Sequence, residues 1–271
     1  MPLWKQAAGA RGGLTGTLDK YTTNLALAYS TRQLLTAYSG SAIRVRESSG
    51  NTEADIGFDN NGNLDTVALL AHTGANSGYV TKWYDQSGNT RDIAEATAAK
   101  QPRIVNSGTV DVGADGKPGL VLDGSDDRVI RVYAPGGGAT SCSVFSVFTT
   151  SDAEAIVLSG DGASTYLGLG TDGDESMFYQ NTVGTPTYYK NGSVQAVATR
   201  NNVHDAYFTG SRVLFEARAI DLSTWLNIEP CTYRAGVSPF FAGVLHEFIL
   251  YTAGGSEAGV EAAINAYWGV Y

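Results

Sequence analysis

Ten consecutive residues, Val80-Thr81-Lys82-Trp83-Tyr84-Asp85-Gln86-Ser87-Gly88-Asn89, concentrate groups that could do chemistry. Two aromatic rings, a carboxylate and an amide follow a β-branched start and end in a Ser-Gly-Asn turn. A strand ending this way can present a flat ring and fixed polar groups at a sheet edge. That suits a sugar, which has an apolar face and a polar rim. On this reading Trp83 and Tyr84 stack, while Asp85, Gln86 and Asn89 hydrogen-bond. Tyr179, Tyr188, Tyr189 and Trp225 are further candidate rings. The same block also fits a buried Trp-Tyr pair closing a strand, followed by an ordinary turn, because aromatic side chains mostly serve cores.

Other chemistries find little support. His72, His204 and His246 are scattered, as are Cys142 and Cys231, so no metal site is expected. Asp59-Asn60-Asn61-Gly62-Asn63 has the composition of a calcium loop, but its glycine comes fourth instead of sixth and no closing glutamate follows. No Gly-x-Ser-x-Gly elbow, phosphate loop or dinucleotide fingerprint occurs, so no cofactor is expected. The net charge of −9 argues against nucleic acid and against an anionic membrane as partner. No apolar run approaches the roughly 18 residues of a membrane-spanning helix. Met1-Pro2-Leu3-Trp4-Lys5-Gln6 lacks the apolar run of a secretory signal, which points to synthesis in a cytosol and to two buried free thiols.

These side chains need a scaffold, and its pattern is mostly of period two. Residues 1–20 are glycine-rich and read as an arm or linker; residues 21–271 read as one domain. Asp19 to Thr36 reads as a short helix through Leu25, Leu27, Leu34 and Leu35. Ile43, Val45, Ile56 and Phe58 then alternate with polar neighbours, as half-buried strands do. Asp65 caps a short helix from Thr66 to Ala71. About a dozen strand-like segments follow. They include Arg128 to Val132, Cys142 to Phe148, Ser176 to Tyr179, His204 to Thr209 and Phe240 to Tyr251. Ser256 opens a final helix with Val260, Ala263, Ile264 and Tyr267 on one face. The expected class is all-β: a sandwich of two antiparallel sheets with a few short helices.

Ala28-Tyr29-Ser30-Thr31-Arg32, Tyr38-Ser39-Gly40 and Trp83-Tyr84-Asp85-Gln86-Ser87-Gly88-Asn89 together resemble the catalytic domain of fungal α-L-arabinofuranosidase B. Phe241 to Tyr251, followed by a helix ending in Asn265-Ala266-Tyr267-Trp268, resembles concanavalin A-like and laminin G-like domains. The resemblance implies a concanavalin A-like jelly roll. It also implies two catalytic carboxyls, since a retaining glycosidase holds such a pair about 5 Å apart. The family nucleophile lies in Met-Glu-Asn-Asn; the nearest segment here is Asp174-Glu175-Ser176-Met177, with the order changed. The family acid lies before the last long strand; the equivalent place is Glu229-Pro230-Cys231-Thr232, with Cys231 where an aspartate belongs. Glu175 and Glu229 are thus the candidate catalytic pair, with Glu247 a further candidate, and the family's adjacent cysteine pair is missing.

Asp55-Ile56-Gly57-Phe58, Leu64-Asp65-Thr66, Gln101-Pro102-Arg103-Ile104-Val105 and the opening Met-Pro-Leu-Trp resemble predicted tail or virion proteins of tailed bacteriophages. This implies a virion protein made in the host cytoplasm: a tail, fibre, spike or decoration subunit. It would bind a host cell-surface glycan, contact other virion subunits through residues 1–20, and form a homo-oligomer such as a trimer. The alternatives are an arabinofuranosidase-like hydrolase acting on a host polysaccharide, and a purely structural subunit without ligand.

Overall fold

The computed structural model describes residues 14–271 apart from 114, 161–165, 176–183 and 233–240. The first half carries β1 (Leu25–Ser30), β2 (Ile43–Glu47), β3 (Glu53–Ile56), α1 (Thr66–Thr73), β4 (Gly78–Trp83), β5 (Ile93–Ala94), β6 (Arg103–Asn106), β7 (Thr109–Val110), β8 (Leu120–Asp123) and β9 (Arg131–Val132). The second half carries β10 (Cys142–Thr149), β11 (Glu154–Ser159), β12 (Tyr166–Thr171), β13 (Gly184–Lys190), β14 (Ser193–Gln195), α2 (Arg200–Tyr207), β15 (Arg212–Ile220), β16 (Asn227–Pro230), β17 (Ala242–Tyr251) and α3 (Glu257–Trp268).

The strands form a 13-stranded sheet, ordered β14-β13-β15-β10-β17-β8-β6-β4-β2-β3 with β1, β5 and β7 at its sides, and a 4-stranded sheet, β12-β11-β16-β9. Their ladders are antiparallel. The class expected from the periodicity, an all-β sandwich of two sheets, is therefore the one observed.

Apolar side chains of both sheets meet in the principal core, where Phe148, Phe215 and Phe241 join Val157, Leu158 and Ile228. The other face of β10, β15 and β17 is buried too. There Phe145, Val147, Leu214 and Ile249 lie under Val260, Ile264 and Trp268 of α3. Burial on both faces explains why Cys142–Thr149 reads as an apolar run instead of an alternation. A bulge in the β10–β17 pairing lies between Leu245 and Glu247. It lets Leu245 and Phe248, three positions apart, share the principal core.

Two sequence expectations are corrected. Residues 19–36 hold β1, not a helix. Leu25-Ala26-Leu27-Ala28 is buried throughout, and a strand buried on both faces cannot be told from a helix by period. His204 lies in α2, not in a strand. Thr199 and Asn202 form a capping box, and Val203 and Tyr207, one turn apart, are the buried residues of the helix. Before β1, Leu18 is fully buried and its N–H donates to Leu34 O at 2.7 Å. The helix capped by Asp65 and the final helix lie where the sequence placed them. Cys142 and Cys231 are both free and buried.

Candidate functional site

The block from Val80 to Asn89 is a brace. Trp83, the last residue of β4, is 0% exposed and packs against Tyr29 of β1 at a centroid distance of 5.6 Å. The Asp85 and Gln86 side chains turn inward onto β1 and the segment after it. Asp85 Oδ1 accepts from Ala28 N–H at 3.0 Å and from Ser87 N–H at 3.0 Å. Its Oδ2 accepts from Ser87 Oγ at 2.7 Å and from Arg91 N–H at 3.1 Å. Gln86 Oε1 accepts from Leu34 N–H at 2.8 Å, while Nε2 donates to Ser30 O and Arg32 O at 3.2 and 2.9 Å. Trp83, Asp85 and Gln86 are thus removed from the solvent-facing roles expected of them. Polar groups this buried are kept because the fold uses every bond they make.

Two of the block's candidate sugar-binding residues, Tyr84 and Asn89, do reach the surface. Tyr84 is half-buried; its hydroxyl donates to Asp55 Oδ1 at 2.7 Å, and Lys82 Nζ lies 5.1 Å from its ring centroid. Burial first, and then the Asp55 carboxylate, push the Tyr84 phenol up to about 12. Asn89 is exposed, and its Nδ2 donates to Leu25 O and Ala26 O at 3.0 and 3.1 Å.

The β11 ladder places one candidate carboxylate, Glu229, and the strand that leads to the other, Glu175. Glu154 of β11 pairs with Thr171 of β12, whereas Ser159, at the other end of β11, pairs with Glu229 of β16. Five residue rises of β11, about 16 Å, separate these ends. Glu175 follows the Thr171 end and is exposed. Glu229 is fully buried, with Oε2 accepting from Ser159 Oγ at 2.9 Å and Oε1 from Asn227 Nδ2 at 3.3 Å. The register therefore sets Glu229 at one end of β11 and Thr171, four residues before Glu175, at the other. Cys231 is buried at a backbone φ of +48°, and burial pushes its thiol well above its ordinary value.

Glu247 is also structural: its carboxylate accepts from Arg32 Nε at 2.7 Å, Arg32 Nη2 at 2.9 Å, Ser30 Oγ at 2.8 Å and Trp268 Nε1 at 3.0 Å. Trp225 is fully buried, and a Cβ on Gly160 would lie 3.0 Å from its ring. Tyr188 packs in the core against Phe215, and Tyr189 carries Arg218 over its ring at 3.9 Å. Tyr179 lies outside the described residues. The Asp59 turn uses its own carboxylate, which accepts from Asn61 N–H and Asn63 N–H at 2.8 Å each.

Two open cavities are lined by described residues. One, of about 450 Å³, lies where the Asn89 turn meets the start of β1 and the segment after β9. Asn24, Asn89, Arg91, Tyr133 and Thr252 supply its polar and aromatic lining, and no carboxylate lines it. Arg91 Nη1 donates to Ala26 O at 3.0 Å, and its guanidinium lies 4.0 Å from the Tyr133 ring centroid. The other cavity, of about 500 Å³, lies beside the end of α3 and is lined by Thr149, Arg212, Val244, Trp268 and one carboxylate, Asp115. Burial pushes Asp115 up, but hydrogen bonds from Arg212 and Lys117 outweigh it and hold the carboxyl well below its usual range. A carboxyl so held stays ionised and cannot donate a proton near neutrality.

Asp123, Asp126 and Asp127 bring one carboxylate oxygen each within 4.8 Å of one another, the one arrangement of metal-ligand type among the described residues. Burial, then the Asp123 charge, push Asp127 up to about 7. Neither Arg91 nor Tyr133 is conspicuous in the sequence. They lie far apart along the chain, and only the fold of the segment after β9 joins them.

No family model matches the chain, and no curated protein matches it. Solved structures do. A glutamate-to-glutamine mutant of a GH54 α-L-arabinofuranosidase soaked with 4-nitrophenyl α-L-arabinofuranoside aligns with a TM-score of 0.60 at 15% identity. A GH54 α-L-arabinofuranosidase soaked with a cyclic sulfate inhibitor aligns at 0.57 and 13%. An arabinofuranosidase complexed with arabinofuranosyl-α-1,2-xylobiose aligns at 0.61 and 14%. Each match covers 93% of this chain but 65% of the other, so the chain spans just under two thirds of those proteins. The class defined is a β-sandwich with the fold of GH54 α-L-arabinofuranosidases. At this identity the likeness is one of fold.

Proposed function

We propose that this chain is a carbohydrate-binding domain that recognises a glycan without cleaving it, through the cavity lined by Asn89, Arg91 and Tyr133. The observation that carries this reading is that cavity: about 450 Å³, rich in amide, hydroxyl and aromatic groups, and without a carboxylate. Such a lining can bind sugar hydroxyls and a sugar face but offers neither nucleophile nor proton donor. Of the rings and amides expected to bind sugar, Asn89 is the one in this cavity. The test is a glycan array on the purified chain with a Tyr133→Ala control. Binding that Tyr133→Ala abolishes is the expected result; no binding to any glycan refutes the reading.

The setting we assign is the virion of a tailed bacteriophage, as a tail, fibre, spike or decoration subunit attaching the particle to a host surface glycan. The sequence resemblance of Asp55-Ile56-Gly57-Phe58 and Gln101-Pro102-Arg103-Ile104-Val105 supports it. Contact with other virion subunits through residues 1–20 and a trimeric homo-oligomer belong to the same proposal. Light scattering on the purified chain checks the trimer.

The fold likeness favours a second reading, hydrolysis of an α-L-arabinofuranoside, because all three aligned structures are arabinofuranosidases. Glu229, beside Ser159, would be one of its carboxyls. Release of reducing sugar from arabinan that Glu229→Gln abolishes would establish that reading over the first.

A further inference from the structure

The cavity that we assign to glycan binding holds one charged side chain, Arg91. No carboxylate lies within salt-bridge distance of its guanidinium among the described residues. In the second cavity, by contrast, Arg212 is bound to Asp115. Arg91 is fixed in place on three sides. Its backbone N–H donates to Asp85 Oδ2, Nη1 donates to Ala26 O, and the Tyr133 ring lies 4.0 Å away. A half-buried guanidinium that lines a cavity and lacks an anion is suited to pair with an acidic group entering it. Around it stand neutral partners for hydroxyls. Asn24 is exposed, and Asn89 Oδ1 has no protein partner among the described residues.

We infer that this cavity selects an acidic sugar, a uronate or another carboxylate-bearing glycan residue, whose carboxylate pairs with Arg91 while its hydroxyls meet Asn24 and Asn89. The inference rests on the glycan-binding reading and narrows it to a class of sugar. The net charge of −9 opposes any acidic ligand at long range. Salt screens that repulsion beyond about 8 Å, whereas a charge-assisted hydrogen bond acts at contact. Preference for an acid is therefore a local property of Arg91.

The test compares trigalacturonate with neutral galactotriose, titrated into the full chain by calorimetry. A charge-assisted bond that a neutral sugar cannot make predicts about 10- to 100-fold tighter binding of the uronate. Arg91→Gln, which keeps a donor for Ala26 O, should erase that ratio by weakening the uronate far more than the neutral sugar. Arg91→Lys should retain part of the ratio. Thermal melting of both variants shows whether the fold persists, and Tyr133→Ala should abolish binding of both sugars. Equal affinity for the two trimers, or a ratio unchanged in Arg91→Gln, overturns the acidic preference while leaving glycan binding in place. Absence of binding to either trimer and to every sugar on the array overturns both.

Discussion

Gln86→Ala distinguishes a brace from a sugar platform, because the two roles predict opposite readouts. The substitution strips partners from three buried backbone groups at once: Leu34 N–H, Ser30 O and Arg32 O, bonded at 2.8, 3.2 and 2.9 Å. Each orphaned group costs about 1–3 kcal/mol, and water admitted to the vacated space recovers part of it. A net loss of about 3 kcal/mol follows, a large share of the roughly 5–15 kcal/mol that holds a domain of this kind together. With a urea slope of about 3 kcal/mol per molar, the unfolding midpoint should fall by about 1 M. The assay is urea denaturation followed by tryptophan fluorescence, run beside glycan binding on the folded variant. A midpoint within about 0.3 M of the parent, together with lost glycan binding, would refute the bracing role and return the motif to the surface.

Glu247→Leu should cost about 3–5 kcal/mol in the same assay, because it leaves the fully buried Arg32 without its bidentate partner. Glu216, buried at the α3 face, has its carboxyl pushed up to about 7, chiefly by desolvation. A folded value above the unfolded one means the folded state binds the extra proton, so stability should rise as pH falls from about 7 toward 4.5. His246, held down to about 4 first by burial and then by Arg212, works in the opposite sense below its ordinary value. The readout is therefore the difference between parent and Glu216→Gln, which should favour the variant by up to about 3 kcal/mol at pH 8 and shrink toward zero near pH 5; a pH-independent difference refutes it. Burial pushes Cys142 up to about 12 and Cys231 upward as well, so neither thiol should react quickly with Ellman's reagent in the native protein, and both should react in denaturant.

Residue order by itself determined the all-β class, since period two recurs from Ile43 onward and turn residues punctuate it. It also determined the two helices with local signals: Asp65 caps one, and an amphipathic face marks the other. It left α2 unread because its signal, the Thr199–Asn202 box, is shorter than the apolar stretch that follows it. It left β1 unread because burial on both faces erases the alternation. The ring and amide pattern of Trp83 to Asn89 was legible as an unusual block, but its role was not. The same side chains serve a sugar or a core, and only burial separates the two. Tertiary structure decided that Asp85 and Gln86 point at β1, that Glu229 is buried beside Ser159, and that Arg91 meets Tyr133. The physical reason is one of range: periodicity and capping act between near neighbours in the chain, whereas desolvation, strand register and the walls of a cavity are set by segments tens of residues apart.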